Sequence, residues 1–494
     1  MPEPSQRTRV LVTGATGYIG RRLTWRLLQD QTLDIRLFVR NRRKVQLSIS
    51  EEVEIFEGNS FDPASLDMAL ADVHTAFYLI HSMGSDQDYQ DLDKKSAELF
   101  RTACIKAGVK KIVYLGGLGV KQSASKHLLS RIETGELLSA EPDKIQTIWI
   151  RAGVIVGSGS AGFEIIRNLC QKLPAMITPL WVRTRTEAIG IEDVLSYLEQ
   201  SIALEHKENI VVDIGSEKIS FQQMIGQAAE VMGLRRFLIP VPVLSPKLSS
   251  YWLILFTPIP YKLASSLVEG LKSETVREND NARLYFPMIS PTSYRESVKH
   301  AISELEQDHI ISRWCDSSSE KACDVKDFDN PAGAILRDIR IIPFKEGDSQ
   351  ENVFKAVCAL GGPNGWFRYN FLWRIRGVLD KISGGYGLSR GRRNNQELRV
   401  GDALDFWKVA DIKEGKRLLL YAQMKLPGQA WLEFDIQPLQ LVQTAHFIPH
   451  GILGRLYWYS VYPLHLFVFS NLANTVVNSS RKIGKNNQDE PLAK

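Results

Sequence analysis

A chain of 494 residues exceeds one ordinary domain, so two or three globular units are expected. Hydrophobic residues at 44% and charged residues at 24% exclude a disordered, collagenous or coiled-coil protein. Lys and Arg total 61 against 56 Asp and Glu, and a net charge of +5 is too thin a surplus over this length to argue for nucleic acid.

The polar start, Met1 to Arg9, leads straight into an apolar strand and does not read as a secretory signal. From Thr8 to about Ala152, short apolar strands alternate with helical stretches. Strands are predicted at Arg9–Thr13, Ile35–Val39, Val53–Glu57, Thr75–Ile80, Lys111–Leu115 and Ile145–Arg151, with Gly20–Gln29 and Asp91–Ala107 among the intervening helices. Several strands are apolar without alternation, as expected where both faces of a parallel sheet are covered. The order implies an α/β, Rossmann-like, doubly wound parallel sheet. Residues 1–305 are assigned to this unit, with a Pro-rich, substrate-covering region from about residue 153.

Residues 306–333 are polar and read as a linker. From 334 to 478 an α+β domain is expected. Leu398–Val409, Arg417–Lys425 and Ala430–Ile436 are strand-like, with turns at Gly401-Asp402, Glu414-Gly415 and Pro427-Gly428, and an apolar helix spans Leu456–Val477. Five of the ten tryptophans (Trp366, Trp373, Trp407, Trp431, Trp458) fall here, which suits a helix-grip, START-like fold with an apolar cavity, or simply a packed core. Residues 479–494 read as a disordered tail. Two apolar runs bear on a membrane. Tyr251–Phe256 is short, and Leu456–Leu472, interrupted by Pro463 and His465, is shorter than the roughly 20 residues of a spanning helix, leaving a buried helix or peripheral contact with a membrane surface. Of the cysteines, Cys104, Cys170, Cys315, Cys323 and Cys358, only Cys315 and Cys323 lie near each other, at no usual zinc spacing. Reduced thiols, no metal centre and a cytoplasmic location are expected.

The sharpest signal is Val10-Leu-Val-Thr-Gly-Ala-Thr-Gly-Tyr-Ile-Gly20. Gly14, Gly17 and Gly20 at a strand-to-helix turn let backbone amides approach a pyrophosphate, which the positive end of the helix dipole favours. Thr13, Thr16, Tyr18 and Ile19 complete this candidate loop. The second strand ends in Arg40, with Arg42 and Arg43 close behind, where an NAD site would carry a carboxylate. A guanidinium pairs with a 2′-phosphate, so NADP(H) is favoured, with NAD(H) the alternative. Asp62 is a candidate partner for the adenine amino group or a helix cap.

The glycine loop, Asp62 and Val113-Tyr114-Leu115-Gly116-Gly117 resemble the short-chain dehydrogenase/reductase superfamily, more narrowly its atypical NmrA-like branch, which includes relatives of the complex I accessory subunit. The resemblance covers about residues 8–300. Segments such as Gly365-Trp366-Phe367-Arg368-Tyr369-Asn370 and Gly401-Asp402-Ala403-Leu404-Asp405-Phe406-Trp407 resemble an uncharacterised domain fused to such reductases in bacterial proteins.

The resemblance implies NAD(P) binding and, in reductases of this type, a Tyr four residues before a Lys on the helix after the fifth strand. No such pair occurs in Ser123–Glu133, where His127 and Arg131 hold the same spacing. His127, with a reference pKa of about 6.5, is the candidate proton donor, and Arg131 a candidate for ribose or phosphate. His81 and Ser82, ending the fourth strand, are placed to line the nicotinamide end. Two readings stay open: an oxidoreductase acting on a hydrophobic carbonyl or quinone-like compound, or a non-catalytic redox sensor or membrane-complex assembly factor whose second domain handles a lipid or partner. Arg374, Arg376, Arg390, Arg392 and Arg393 form a further basic cluster.

Overall fold

The computed structural model describes residues 7–45, 52–81, 89–241, 269–270, 273–306, 336–345, 347–362, 365–366, 370–382, 398–424, 426–449 and 451–486. Tyr251–Phe256, Ser82, Cys315, Cys323, the linker 307–333 and the arginines at 390, 392 and 393 lie outside the described residues. The chain divides into two compact units, Met1–Glu320 and Lys321–Lys494.

The first unit begins with β1 (Thr8–Thr13), α1 (Tyr18–Leu27), β2 (Leu33–Val39), β3 (Glu54–Glu57), α2 (Pro63–Leu70), β4 (Thr75–Tyr78), α3 (Tyr89–Lys106), β5 (Lys111–Gly117), α4 (Lys126–Leu138) and β6 (Gln146–Ala152). It continues with β7 (Val154–Val156), α5 (Ala161–Lys172), β8 (Ala175–Pro179), β9 (Arg185–Gly190), α6 (Ile191–Ala203), β10 (Ile210–Ile214), β11 (Glu217–Ser220), α7 (Phe221–Val231), β12 (Phe237–Val241), α8 (Asn281–Tyr285) and α9 (Tyr294–Glu306).

Seven strands form one parallel sheet in the order β3-β2-β1-β4-β5-β6-β10. The six expected strands return within two residues of their predicted bounds. Val10 and Val12 pack into a core with α1 and α6, whereas Leu11 faces a second core with α2, α3 and α4. This two-sided cover explains the unbroken apolar runs. Close approach is needed where α4 crosses β6, because a Cβ on Gly135 would overlap the Trp149 indole. Two smaller sheets, β7-β9-β11 and β8-β12, follow the large one.

The second unit runs β13 (Leu336–Pro343), α10 (Gln350–Cys358), α11 (Asn370–Ile382), β14 (Ala403–Leu404), β15 (Trp407–Lys413), β16 (Arg417–Ala422), β17 (Gly428–Gln437), β18 (Gln440–Pro449) and α12 (Gly451–Asn486). All six strands are antiparallel, in the order β13-β18-β17-β16-β15-β14. The helix α12 packs on β13 and β18 and against α10. Trp366, Trp373, Phe406, Trp407 and Phe469 meet in its core.

Three expectations change here. Leu398–Val409 is not one strand, because Asp405 turns the chain at a positive φ of 56° and splits it into β14 and β15. The strands β13 and β18 were not anticipated. The terminal helix starts earlier and runs to Asn486, so 479–486 is helical rather than part of a tail; the core contacts of Val476 and Val477 carry the helix past Pro463. Among the described residues, no helix is long and apolar enough to cross a membrane.

Asp213 on β10 is fully buried and is gripped by Arg151 on β6 through two hydrogen bonds of 2.6 and 2.8 Å. Removing the cation strands a buried carboxylate. Arg151→Met should therefore lower unfolding free energy by about 3–5 kcal/mol, read as a lower urea midpoint.

Candidate functional site

The turn after β1 is shaped by sterics at two glycines. Gly14 has φ +66°, and a Cβ there would stand 2.5 Å from the Leu79 carbonyl oxygen, while a Cβ on Gly20 would collide with the Gly14 carbonyl. Gly20 lies inside the first turn of α1 rather than in the loop, so its role is close packing of helix on turn. Gly17 occupies the N-cap position with no side chain to accept from the helix, and the first turn contains no acid. With neither a capping side chain nor an acid there, the start of α1 favours an external anion.

Thr13 is fully buried, and its hydroxyl donates to the Phe77 carbonyl (2.9 Å) while accepting from Leu79 N–H (3.2 Å). Its side chain therefore clamps β1 to the end of β4 and is not offered to a ligand. Thr16 contributes a carbonyl to Arg21 Nε (2.9 Å), and Arg21, buried and unexpected from sequence, also reaches the Lys44 carbonyl (3.2 Å). Tyr18 packs under Arg22, whose guanidinium lies 5.3 Å from the ring centroid; burial pushes the Tyr18 phenol well above its ordinary pKa, so it is a structural phenol.

Arg40 follows β2 directly and is exposed, with no partner among the described residues. Arg42 is exposed too, its backbone N–H donating to Glu57 (3.1 Å). Asp62 caps α2, accepting from Ala64 N–H (3.2 Å) and from the Ser65 hydroxyl; that second bond holds its carboxyl below the usual range.

The other end of the site is a chain of three side chains. Asp93 on α3, 4% exposed, lies 3.3 Å from His81 Nδ1, and His81 Nε2 lies 3.2 Å from His127 Nδ1 on α4. The Ser130 hydroxyl donates to the same Asp93 oxygen at 3.0 Å. His81 follows β4 closely, and Leu79 touches the Gly14 turn, so the imidazole chain and the anion turn share one edge of the sheet. Arg131 follows His127 by one helical turn and its guanidinium has no partner among the described residues, while its carbonyl accepts from Tyr114 Oη (2.9 Å). Neither Asp93 nor Ser130 was expected. Asp93 does leave a trace, because it falls on the buried stripe of α3 with Ser96, Ala97, Phe100, Ala103 and Cys104.

The protonation of this chain corrects a simple expectation. Burial lowers the His127 pKa to about 3, with His81 and Arg131 adding to the shift, so the imidazole is neutral at pH 7. Burial, then Arg131, lowers His81 as well.

Residues 14–142 match a family model described as NAD(P)H-binding. The first unit contains an NAD(P)H-binding domain. Residues 331–472 match DUF2867, a family of unknown function. Over 226 residues the chain is 26% identical to the chloroplastic divinyl chlorophyllide a 8-vinyl-reductase of Zea mays, covering 43% of this chain and 56% of that protein. The chain thus spans about half the length of the curated relative it matches. Among solved structures, the NADP(H) complex of triphenylmethane reductase from Citrobacter sp. is 21% identical, with TM-score 0.48, covering 59% of this chain and 99% of that one. The Thermotoga maritima UDP-glucose 4-epimerase is 14% identical, with TM-score 0.47, covering 61% and 99%.

The depressed His127 pKa has a sign that can be checked. The unfolded chain takes up this proton near the reference value of about 6.5, the folded chain only near 3. The stability that neutral His127 confers is complete above that upper value and is lost as pH falls toward the lower one. His127→Gln should flatten this part of the stability profile, measured by urea unfolding at successive pH values.

Proposed function

We propose that the chain is an NADPH-dependent reductase of an apolar carbonyl or quinone-like compound, with His127 delivering the proton. The observation that carries this reading is the Asp93–His81–His127 chain beside the anion turn. The NAD(P)H-binding match and the reductase relative support it.

The glycine contacts fit a cradle that any Cβ would fill. The amides at the start of α1 would hold the diphosphate, Arg40 the 2′-phosphate and Asp62 the adenine amino group. A bound dinucleotide supplies a hydride. Arg131 would hold ribose or phosphate, and its charge adds to the burial that keeps the imidazoles neutral at rest.

Two proton patterns follow from the hydrogen bonds. With both rings neutral, Asp93 fixes a proton on His81 Nδ1, so His81 Nε2 accepts from His127 Nδ1–H and His127 Nε2 carries a lone pair. One further proton on the pair reverses the central bond: His81 Nε2–H donates to His127 Nδ1, and His127 Nε2–H becomes the donor. As the substrate oxygen takes the Nε2 proton, His127 Nδ1 recovers one from His81, and Asp93 stabilises the transient charge. Because burial opposes the extra proton, reduction should quicken as pH falls from 8 toward 5.

In the second unit, one strand, two helices, five strands and a long helix lying on the paired first and last strands support a helix-grip, START-like assignment. A second reading, a redox sensor attached to a membrane or membrane complex, is favoured by the exposed Leu453, Leu456, Tyr459 and Phe467 on α12, a helix with no acidic residue.

Purified protein should bind NADPH in calorimetry and oxidise it with members of a carbonyl and quinone panel. His127→Ala should lower kcat by about 10²–10⁴-fold with NADPH affinity unchanged. Arg40→Ala should weaken NADPH by about tenfold or more while leaving NADH unaffected. Absence of heat with either dinucleotide would sink the proposal. Binding without turnover across the panel, together with recovery on anionic vesicles, would move it to the second reading.

A further inference from the structure

Two neighbouring arginines on α1 have opposite surroundings. Arg22 is held by Glu304 (2.8 Å) and by the Ser158 hydroxyl (2.7 Å). Arg21 is 6% exposed, and no carboxylate pairs with it among the described residues. Its guanidinium ends instead on two backbone carbonyls, Nε donating to Thr16 (2.9 Å) and Nη2 to Lys44 (3.2 Å). Other buried guanidinium groups in this unit meet acids, as Arg36 meets Glu54 (2.7 Å) and Arg151 meets Asp213 (2.6 Å). Burying a cation without a counter-charge is costly, so packing alone accounts poorly for Arg21.

The two carbonyls belong to the two segments that would hold phosphate. Thr16 lies between Gly14 and Gly17 in the turn after β1, and Lys44 ends a single 3₁₀ turn, Arg42–Lys44, that follows β2. Arg40 therefore sits between fixed points. Before it, Val39 is paired within the sheet and its carbonyl accepts from Gly58 N–H (3.0 Å). After it, Glu57 holds the Arg42 N–H (3.1 Å) and Arg21 holds the Lys44 carbonyl. The Arg40 side chain is exposed, so its grip on an anion depends on how firmly its backbone is preset. Order built in beforehand is order that binding need not impose.

We infer that Arg21 is a positioning residue for dinucleotide choice. By fastening the turn after β2 to the turn after β1, it holds Arg40 ready for a 2′-phosphate while a diphosphate lies on the first turn. It acts through Arg40 and not by touching a phosphate. The forked guanidinium is what the role requires, because carbonyls on two separate segments are bonded at once and an ammonium does not present that geometry. The inference rests on the proposed assignment of Arg40 to the 2′-phosphate.

The test is a double-mutant cycle on the full-length protein, read by calorimetry as the ratio of the NADH to the NADPH dissociation constant. Arg21→Gln should lower this preference for NADPH by about tenfold. Arg21→Lys, which keeps the charge and loses the fork, should lower it as well, and it serves as the working variant if urea unfolding shows that Arg21→Gln does not fold. Added to Arg40→Ala, either substitution should change the ratio by less than about twofold, since the residue it acts through has gone. A merely structural arginine would weaken both dinucleotides alike and leave the ratio unchanged, which overturns the inference. An equal fall in the ratio with and without Arg40 overturns it too, because it would mean direct contact with the phosphate. If wild type has no preference, or Arg40→Ala leaves it intact, the assignment of Arg40 fails and takes this inference with it. A preference lost in Arg40→Ala but kept in both Arg21 variants removes the inference alone.

Discussion

The hydroxyl of Thr13 ties the two halves of the candidate site together. By bonding both the Phe77 carbonyl and the Leu79 amide, it holds the turn after β1 against the end of β4. That contact leaves no room for a side chain at Gly14, and it places His81 two residues beyond the clamp. The anion turn and the imidazole chain are therefore set by one interaction across neighbouring parallel strands. An uncapped helix start without acids then makes the turn attractive to a phosphate through the helix dipole.

At the opposite end, electrostatics oppose an easily available proton. Burial and Arg131 both disfavour charge on His81 and His127, while the buried Asp93 favours it. A pair of rings balanced in this way stays neutral at rest and holds a charge only briefly. Arg131 adds to this bias, its field reinforcing the burial that keeps both rings neutral. The phenols nearby have no such poise: Tyr78 and Tyr114 are pushed well above their ordinary range by burial and serve as packing.

The first sheet was readable in the chain because its signals are local. Strand-length apolar runs, the glycine spacing and a basic residue after β2 sit within a few positions of each other, and each expected strand was recovered. The site was less legible. His127 and His81 could be named from position, but Asp93 joins them only through the packing of α3 against α4, and its carboxylate is one polar residue on an otherwise ordinary stripe. Thr13 and Asp62 illustrate a different limit. Both stand in the motif, yet one is committed to β4 and the other caps α2, roles that depend on partners distant in sequence or on exact turn geometry. In the second unit, β18 was missed because Gln440, Gln443 and His446 interrupt its apolar pattern, and β13 because alternate residues face solvent at the edge of the sheet.

The pairing of β13 with β18 also governs how the second unit can assemble. Asp338 meets Ala445, more than a hundred residues later in the chain. The hairpins from β15 to β18 can form from near neighbours, but the edge strand stays unsatisfied until the last strand has been made. Closure is consequently a late, long-range event, entropically demanding and slow relative to the meander that precedes it. During synthesis on the ribosome, β13 spends that interval as an unpaired, partly apolar edge, the stage at which this unit is most exposed to misassembly.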